Sequence, residues 1–498
     1  MELFENLAFG FSVAFSLQNL LYCFIGVLVG TLIGVLPGIG PLATIAMLLP
    51  ITFNVPPVAA LIMLAGIYYG AQYGGSTTAI LVNLPGESGS VVTCLDGHQM
   101  ARQGRAGPAL AIAAIGSFFA GTVGTLLIAL VGPPLAEMAL RFGAPEYFSL
   151  MLMGLVAAAV LTQGDIVKSL AMVAIGLLFG IVGNDVNTGV ARFTFGLNEL
   201  SDGIGFVVVA VGVFAIGEII ANLGGTEERQ VLASKIGHLF PTKDDLKRSV
   251  GPIVRGTALG SFFGVLPGTG PAVASLSSYM LERRLAADPT RFGKGAIEGV
   301  AGPEAANNAD AQCKFIPMLT LGLPASGVMA LMLGALTIQG IQPGPQVMTA
   351  KPDLFWGLIA SMWIGNLMLV LLNLPLVGLW VSMLRVPYRL LFPAIMAFSA
   401  IGIYSVNTSA MEIYLAALFG VLGFVWMKLG FSPTPMLLGF VLGPMMEENL
   451  RRAMLMARGD LSVFVTRPIS LAFIVATALI LLAAAAPTLR RRRAAIAE

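Results

Sequence analysis

Long apolar stretches with almost no charge constrain this chain more than any other sequence feature. Each is roughly 18 or more residues long, enough for a helix to cross about 30 Å of hydrocarbon. They lie near residues 17–36, 109–132, 147–164, 169–184, 204–223, 355–380, 393–427 and 468–487. Hydrophobic residues make up 57% of the chain and charged residues only 11%. The stretches are continuously apolar rather than alternating, so we predict an all-α polytopic membrane protein.

Shorter or proline-broken apolar stretches occupy residues 42–85, 250–281 and 315–341. They bring the expected total to about ten to twelve membrane elements, some of which do not cross fully. Lys and Arg concentrate in residues 229–255 and 490–493. Because basic segments stay on the cytoplasmic side, we expect both of these segments, and with them the C-terminus, in the cytoplasm.

One phrase is written twice in the sequence. Residues 34–41 read GVLPGIGP, and residues 264–271 read GVLPGTGP. A weaker likeness follows each copy, since STTAILVNLPGESG at 76–89 resembles CKFIPMLTLGLPASG at 313–327. Two likenesses in the same order predict an internal duplication.

The duplication divides the chain into three parts. We predict a first transmembrane repeat at residues 1–225, a polar cytoplasmic linker at 226–249, and a second transmembrane repeat at 250–498 with a basic tail. The two halves are expected to be inverted relative to each other and to contain broken or re-entrant helices.

The repeated phrase breaks helices. Pro lacks a backbone N–H and Gly relaxes the backbone, so Leu-Pro-Gly-x-Gly-Pro ends one helix and lets another begin. Within a bilayer such backbone is tolerated only where it is buried in protein or lines a wet cavity. Paired breaks in two halves therefore predict a binding site, where helix N-termini face an anion and free carbonyls hold a cation. The alternative is a kink that serves packing alone.

Polar residues surround these breaks in both halves and supply neutral hydrogen-bonding groups. We predict the following substrate-binding residues: Pro37, Gly38, Gly40, Ser76, Thr77, Thr78, Asn83, Pro85, Gly86, Ser88, Pro267, Gly268, Thr269, Gly270, Thr320, Pro324 and Ser326.

A coupling-cation site is predicted at Asn307, Asn308 and Asp310. Carboxylate and amide groups are costly near the middle of a membrane, and their hard oxygens suit Na⁺ or a proton relay. The alternative is that residues 300–312 form a solvated loop. Lys314 is expected either to pair with Asp310 or to meet a substrate carboxylate.

Motifs that would indicate an enzyme lack the context they need. Residues 86–89 match the G-x-S-G of intramembrane serine proteases, but the only histidines are His98, ten residues further on, and His238 in the charged linker. No P-loop, H-E-x-x-H or dinucleotide fingerprint occurs, and the three cysteines have no paired or metal-binding spacing. We expect no enzyme activity, no cofactor or metal beyond a possible Na⁺, and, at a net charge of +2, no nucleic-acid partner.

The motifs together resemble the large membrane subunit of the bacterial tripartite tricarboxylate transporters. The resemblance rests on the two copies of the repeated phrase and on YGGSTTAILVNLPGESG, GPEAANNADAQ and LTLGLPASG, and it covers roughly residues 18–440. It implies a cation-driven importer of carboxylates in the inner membrane. It also implies two partners, a small membrane subunit of four helices and an extracytoplasmic solute-binding protein. One departure is Ala325, which stands where many relatives have glycine and weakens the expected helix break.

The mechanism we predict is secondary active transport driven by Na⁺ or H⁺. Substrate binds between the two halves, and a mobile unit carries it across as in an elevator, by analogy with other carboxylate carriers. The alternatives are an anion-selective channel, a stand-alone ion or solute exchanger, and an assembly scaffold that transports nothing.

Overall fold

A computed structural model describes residues 2–36, 40–162, 164–185, 188–222, 239–383 and 388–497. The chain is 79% helical, and the strands among these residues form one antiparallel pair, β1 (Gly183–Asn184) with β2 (Ala191–Arg192). The helices of the first half are α1 Glu2–Ala14, α2 Leu17–Val35, α3 Pro41–Thr52, α4 Pro57–Val82, α5 Thr93–Arg102, α6 Ala106–Ala139, α7 Ala144–Leu161, α8 Ile166–Gly180, α9 Phe206–Ala210 and α10 Gly217–Asn222. The π-helical segment Val211–Ile216 joins α9 to α10.

The second half begins inside the predicted linker, because α11 starts at Lys243. Residues 223–238, which include most of that linker, lie outside the described residues. The helices of this half are α11 Lys243–Val265, α12 Pro271–Leu285, α13 Glu298–Cys313, α14 Phe315–Leu321, α15 Gly327–Ile338, α16 Val347–Ala350, α17 Pro352–Asn373, α18 Val377–Met383, α19 Tyr388–Asn407, α20 Ala410–Lys428, α21 Thr434–Met456, α22 Val463–Thr466 and α23 Pro468–Ala497. Short 3-10 helices lie at Ser88–Val91, Asn198–Leu200 and Pro289–Arg291.

Several of the described helices are suited to a bilayer. By length and composition, α2, α6, α7, α17 and α20 are long and apolar enough to cross one. Shorter apolar helices lie at Pro41–Thr52, Ile166–Gly180, Phe206–Ala221, Gly327–Ile338, Ile395–Asn407 and Pro468–Ala484. The predicted class of all-α, multi-pass membrane protein is confirmed. The number of elements that cross fully stays a prediction.

The helices that carry the repeated phrase pack backbone to backbone against a second helix in each half. Glycines at every fourth position of α2 lie against α4, and glycines at every fourth position of α11 lie against α13, so closely that a Cβ atom would overlap the facing helix. These glycines are Gly26, Gly30 and Gly34 on α2, and Gly256, Gly260 and Gly264 on α11. Gly26 faces Met63 and Gly34 faces Ala71, so α2 and α4 run parallel. The helix that connects them in sequence, α3, must therefore run in the opposite direction. In the second half α12 makes the same return.

Candidate functional site

The chain interruptions of both halves meet at a central cavity of about 530 Å³. Two of them lie between antiparallel helices: the first tip, described at Leu36 and Gly40, lies between α2 and α3, and the second tip (residues 266–270) joins α11 to α12. The other two are breaks: the first break (residues 83–87) follows α4, and the second break (residues 322–326) joins α14 to α15. All four contribute to the cavity wall. Its volume is typical of a pocket for a small organic ligand.

The two breaks follow the same backbone course. Asn83 ends α4 with φ 60°, and Gly322 ends α14 with φ 68°. A proline two residues later cannot continue the helix. Glu87 (φ −149°, ψ 171°) and Ser326 (φ −154°, ψ 171°) then cap the next helix. Ala325 does not prevent the second break, because Gly322 already supplies the left-handed turn.

Three helix N-termini face the cavity, those of α3, α12 and α15. Their capping residues Gly40, Gly270 and Ser326 all line it. The first N–H groups of a helix have no partner within the helix and carry the positive end of its dipole. The Ser326 hydroxyl accepts one of them, from Met329 at 3.3 Å. The remaining N–H groups make this side of the cavity suitable for an anion.

The second tip is fixed to the second break. The Gly268 N–H donates to the Ala325 carbonyl at 2.9 Å, and Gly268 has φ +83°, which favours glycine. The Thr269 hydroxyl donates to the carbonyls of Phe263 (2.6 Å) and Leu266 (2.8 Å), so it caps the end of α11. The hydroxyl is therefore engaged with backbone although Thr269 lines the cavity.

Glu87 is the most enclosed charged side chain of the cavity wall, at 7% exposure. Its carboxylate accepts from the Gly89 N–H at 2.6 Å and from Asn307 Nδ2 at 3.0 Å. With its amide nitrogen turned toward them, Gln72 lies 3.0 Å from Glu87 Oε1 and 2.9 Å from Asn307 Oδ1. Within the described part of the chain, the hydrogen-bond partners of this carboxylate are neutral and no ion pair reaches it, while the buried Glu304 carboxylate interacts with it electrostatically.

The cavity holds a second acid, Glu218 of α10, which is half-buried and hydrogen-bonded by the Gly40 backbone. None of the described residues that line the cavity is Lys, Arg or His. The fixed charges on the wall are thus acidic, while its helix ends favour anions.

The predicted substrate-binding residues divide into two groups. Those that line the cavity are Gly40, Pro85, Gly86, Ser88, Gly268, Thr269, Gly270 and Ser326. Those that the structure describes away from the lining are Ser76, Thr77, Thr78, Asn83, Pro267, Thr320 and Pro324. Pro37 and Gly38 lie outside the described residues.

Hydroxyls in the second group are occupied elsewhere. Ser76 donates to Glu304 Oε2 at 2.5 Å, and Thr93 donates to the other oxygen of this fully buried carboxylate. Thr77 and Thr78 donate to backbone carbonyls, as Thr320 does at 2.6 Å to Ile316. These side chains satisfy buried backbone and a buried acid rather than facing a ligand.

The predicted cation ligands do not converge on one point. Asn307 donates to Glu87, whereas Asn308 donates to Ser117 Oγ at 2.6 Å and to the Glu304 carbonyl at 3.1 Å. Asp310 forms an ion pair with Lys314, and both side chains are 0% exposed. Around the helix Asn308 points about 100° away from Asn307 and about 160° away from Asp310, and the partners of Asn307 and Asp310 differ. Residues 300–312 are buried helix, so the alternative of a solvated loop is wrong.

Sequence reasoning did not select several lining residues: Tyr68, Gln72, Glu87, Thr162, Glu218 and Thr434. Gln72 and Glu87 lie in the polar stretch beside the first break, and Glu218 is a lone charge in an apolar stretch. A charged or amide group at membrane depth is itself a signal of function, and it would have found these three. Nothing in the sequence separates Tyr68, Thr162 or Thr434 from their neighbours.

Comparisons with known proteins place the sequence in a family. The model of the family described as "Tripartite tricarboxylate transporter TctA family" matches residues 20–438. An Agrobacterium vitis protein, "Uncharacterized 52.8 kDa protein in TAR-I ttuC' 3'region", is 58% identical over 470 residues, covering 94% of each chain. A second, "Uncharacterized protein in TAR-II ttuC' 3'region" of the same organism, is 61% identical over 211 residues, 42% of this chain and 87% of that protein. No solved structure matches. The chain belongs to the tripartite tricarboxylate transporter TctA family.

Proposed function

We propose that this chain is the large permease subunit of a tripartite transporter that takes up carboxylates across the bacterial inner membrane, driven by Na⁺ or H⁺. Its family implies a tripartite system with a small membrane subunit and a binding protein. We assign these roles to a subunit of about four helices and to an extracytoplasmic solute-binding protein that delivers the substrate, as the family resemblance implies.

One observation carries the proposal: the wall of the central cavity combines helix N-termini with acidic side chains and has no described cationic side chain. The N-termini favour an anion. Glu87 and Glu218 disfavour one, because carboxyl groups close together in a medium of low dielectric constant cannot all stay ionised without positive partners. A carboxylate therefore enters together with protons or cations, which is what cation-coupled uptake requires.

We place the coupling cation at Glu87, with Asn307 and Gln72 as neighbours. This carboxylate faces the cavity and has only neutral partners in the described structure. Asp310 is a weaker choice, because Lys314 already neutralises it. Asn308 is directed at Ser117 and away from Glu87. Of the three residues that the sequence predicts as cation ligands, we therefore keep only Asn307 in the proposed site.

The two halves, residues 1–225 and 250–498, act as repeats on either side of the linker at 226–249. The matching glycine packing of α2 on α4 and of α11 on α13 supports this reading. The same interval along the chain separates Asn83 from Gly322 and Glu87 from Ser326, the equivalent residues of the two breaks. We propose that the halves are inverted and that the tips and breaks move together as the elevator unit.

Basic side chains assign the sides of the membrane. Arg105, Arg248 and Arg255 pair with acids at the starts of α11 and α13 and at the end of α12. By the positive-inside rule these ends face the cytoplasm, as does the basic C-terminal tail. A reporter fused after Glu498 is expected to work only if it is active inside the cell. Activity of a periplasmic reporter there would reverse the orientation.

Reconstitution tests the function directly. Proteoliposomes that contain both membrane subunits, with the binding protein outside, are offered labelled di- and tricarboxylates under a Na⁺ gradient or a pH gradient. We expect saturable uptake that needs the binding protein and one of the gradients. Substrate-dependent conductance without the binding protein would instead identify a channel, and uptake that needs only internal counter-substrate would identify an exchanger.

A further inference from the structure

A second cavity of about 420 Å³ lies away from the central one. Its wall comes from α7, from the loop at residues 340–346 after α15, and from the last turns of α21. We call it the loop cavity. Its polar side chains include Gln342, Gln346, Asn449, Glu448 and Arg452.

The second break separates the two cavities. Leu321, which ends α14, lines the loop cavity, whereas Ala325, Ser326 and Gly327 line the central cavity. Gly322 lies between them against the loop, since a Cβ atom there would be 3.0 Å from the Pro343 carbonyl oxygen. A ligand passing directly from one cavity to the other would have to displace this short segment.

The loop cavity lies at the far end of α13 and α14 from the cluster of Arg248, Arg291 and Glu298. Glu298, which begins α13, pairs with Arg248 and Arg291 on the basic side. From there α13 and α14 carry the chain about 35 Å along their axis, because each helical residue rises about 1.5 Å. That distance is close to the thickness of the hydrocarbon core. With the basic side in the cytoplasm, the loop cavity faces the outside.

Charge distinguishes the two cavities. Arg452 is the one cationic side chain among the residues that line the loop cavity, and its partner Glu448 lines the cavity too. Both are mostly exposed, at 63% and 56%, so the pair can be exchanged at little cost. A substrate carboxylate can replace the Glu448 carboxylate on the Arg452 guanidinium, with amide donors from Gln342 and Gln346 nearby.

We infer that the loop cavity is an outer binding site for the carboxylate substrate, occupied after release from the binding protein and before passage beyond the second break. The inference rests on the proposed function. Glu448 competes with the substrate for Arg452. Removing Arg452 should therefore lower apparent substrate affinity, whereas removing the Glu448 charge should raise it.

Three variants in the reconstituted three-protein system test this inference. R452Q removes the cation, and the half-saturating substrate concentration is expected to rise about 10-fold, the usual scale for losing a charge-assisted hydrogen bond. E448Q removes the competitor, and that concentration is expected to fall about 3-fold by the scale of exposed ion pairs. R458Q is the matched control, since Arg458 is an exposed arginine beyond the end of α21 that does not line the cavity. Its uptake is expected to equal that of the unmodified protein.

The outcomes separate this inference from the proposed function. If the unmodified protein takes up no carboxylate, the proposed function fails and the inference with it. If it takes up substrate while R452Q behaves like R458Q, the inference alone is overturned. If R452Q shifts the half-saturating concentration of the binding protein and leaves that of the substrate unchanged, Arg452 contacts the protein and the inference is again wrong.

Discussion

The first and second breaks have the same backbone conformation but differ in the charge of their capping residue. Each leaves its helix through a left-handed residue, passes a proline, and starts the next helix from an extended capping residue. The capping residue is Glu87 in the first break and Ser326 in the second. The same cavity therefore has an acid on one side and a neutral hydroxyl on the other.

Two buried acids near the breaks, Asp310 and Glu87, also differ in how they are neutralised. Asp310, on the helix that leads toward the second break, pairs with Lys314 one turn later, and the pair is fully buried. Glu87 has neutral partners only in the described structure, namely Asn307, Gln72 and the Gly89 N–H. Asp310 thus has a cationic partner within the chain, whereas Glu87 has none among the described residues. As part of the proposed function, we therefore assign transport coupling to the first break and anion binding to the second break.

The largest effect on stability is expected from breaking the buried ion pair of Asp310 with Lys314. Lys314→Met leaves Asp310 buried without a partner, which costs about 3–5 kcal/mol of stability. The double variant Asp310→Asn with Lys314→Met removes both charges and should recover most of that loss. Thermal unfolding in detergent and the amount of protein in the membrane measure both. A stable single variant would show that Lys314 is not the structural counter-ion of Asp310.

A smaller effect on stability but a large one on transport is expected from Glu87→Gln. The amide keeps the shape and loses the charge, so gradient-driven uptake should fall about 10- to 100-fold, the scale of about 1.5–3 kcal/mol for hydrogen bonds to a charged group. Uptake is measured against Na⁺ at fixed pH and then against pH without Na⁺. The Glu304→Gln variant is the comparison, because that acid lies outside the cavity lining. Equal loss in both variants would remove the distinction between the two acids.

The close approach of the second tip to α7 is tested by Gly268→Ala. A Cβ atom there would lie 2.8 Å from the Ala157 carbonyl oxygen, and φ is +83°. The strain of a left-handed non-glycine residue alone is about 1–2 kcal/mol, so uptake should fall about 10-fold or more. Gly293→Ala is the matched control, because Gly293 has φ +80° with nothing within 4 Å of a Cβ atom and lies outside the cavity lining. If both variants transport alike, the close approach has no role in transport.

The smallest effect is expected at the second break, whose capping residue is the neutral Ser326. Ser326→Ala removes the hydroxyl that caps α15, which costs about 1 kcal/mol of stability. Because Ser326 also lines the cavity, losing a neutral hydrogen bond to the substrate should weaken apparent substrate affinity roughly 5-fold. The cation dependence of uptake should not move, in contrast to Glu87→Gln. Ser88→Ala in the first half is the paired measurement. A shifted cation dependence in Ser326→Ala would place coupling at both breaks.

Sequence reasoning located the second tip and both breaks because their signals are local. Pro and Gly at fixed positions disrupt a helix wherever it lies, so Gly268, Thr269 and Gly270 could be selected without a structure. The ion pair of Asp310 with Lys314 also follows a local rule, since residues four apart on a helix face each other. That rule favours pairing over a cation site at Asp310.

The acids of the cavity could not be placed in this way. Glu218 meets the Gly40 backbone and Glu87 meets Asn307 through contacts between segments distant in sequence. Ser76 had the right chemistry and position in the motif, but its hydroxyl turns to the buried Glu304 instead of the cavity. The direction of a side chain on a fully buried helix depends on which neighbours pack against it. A helix-breaking motif does not determine which neighbours pack against the helix, so it does not predict the direction of the side chain.

The number of cations moved with each substrate tests the central claim most directly. In proteoliposomes with all three proteins, the membrane voltage or ion gradient that just balances a fixed substrate gradient gives this number for the unmodified protein and for Glu87→Gln. The account predicts that the variant moves one cation or proton fewer per carboxylate while still exchanging substrate. The same ratio in both proteins would contradict the assignment of coupling to Glu87.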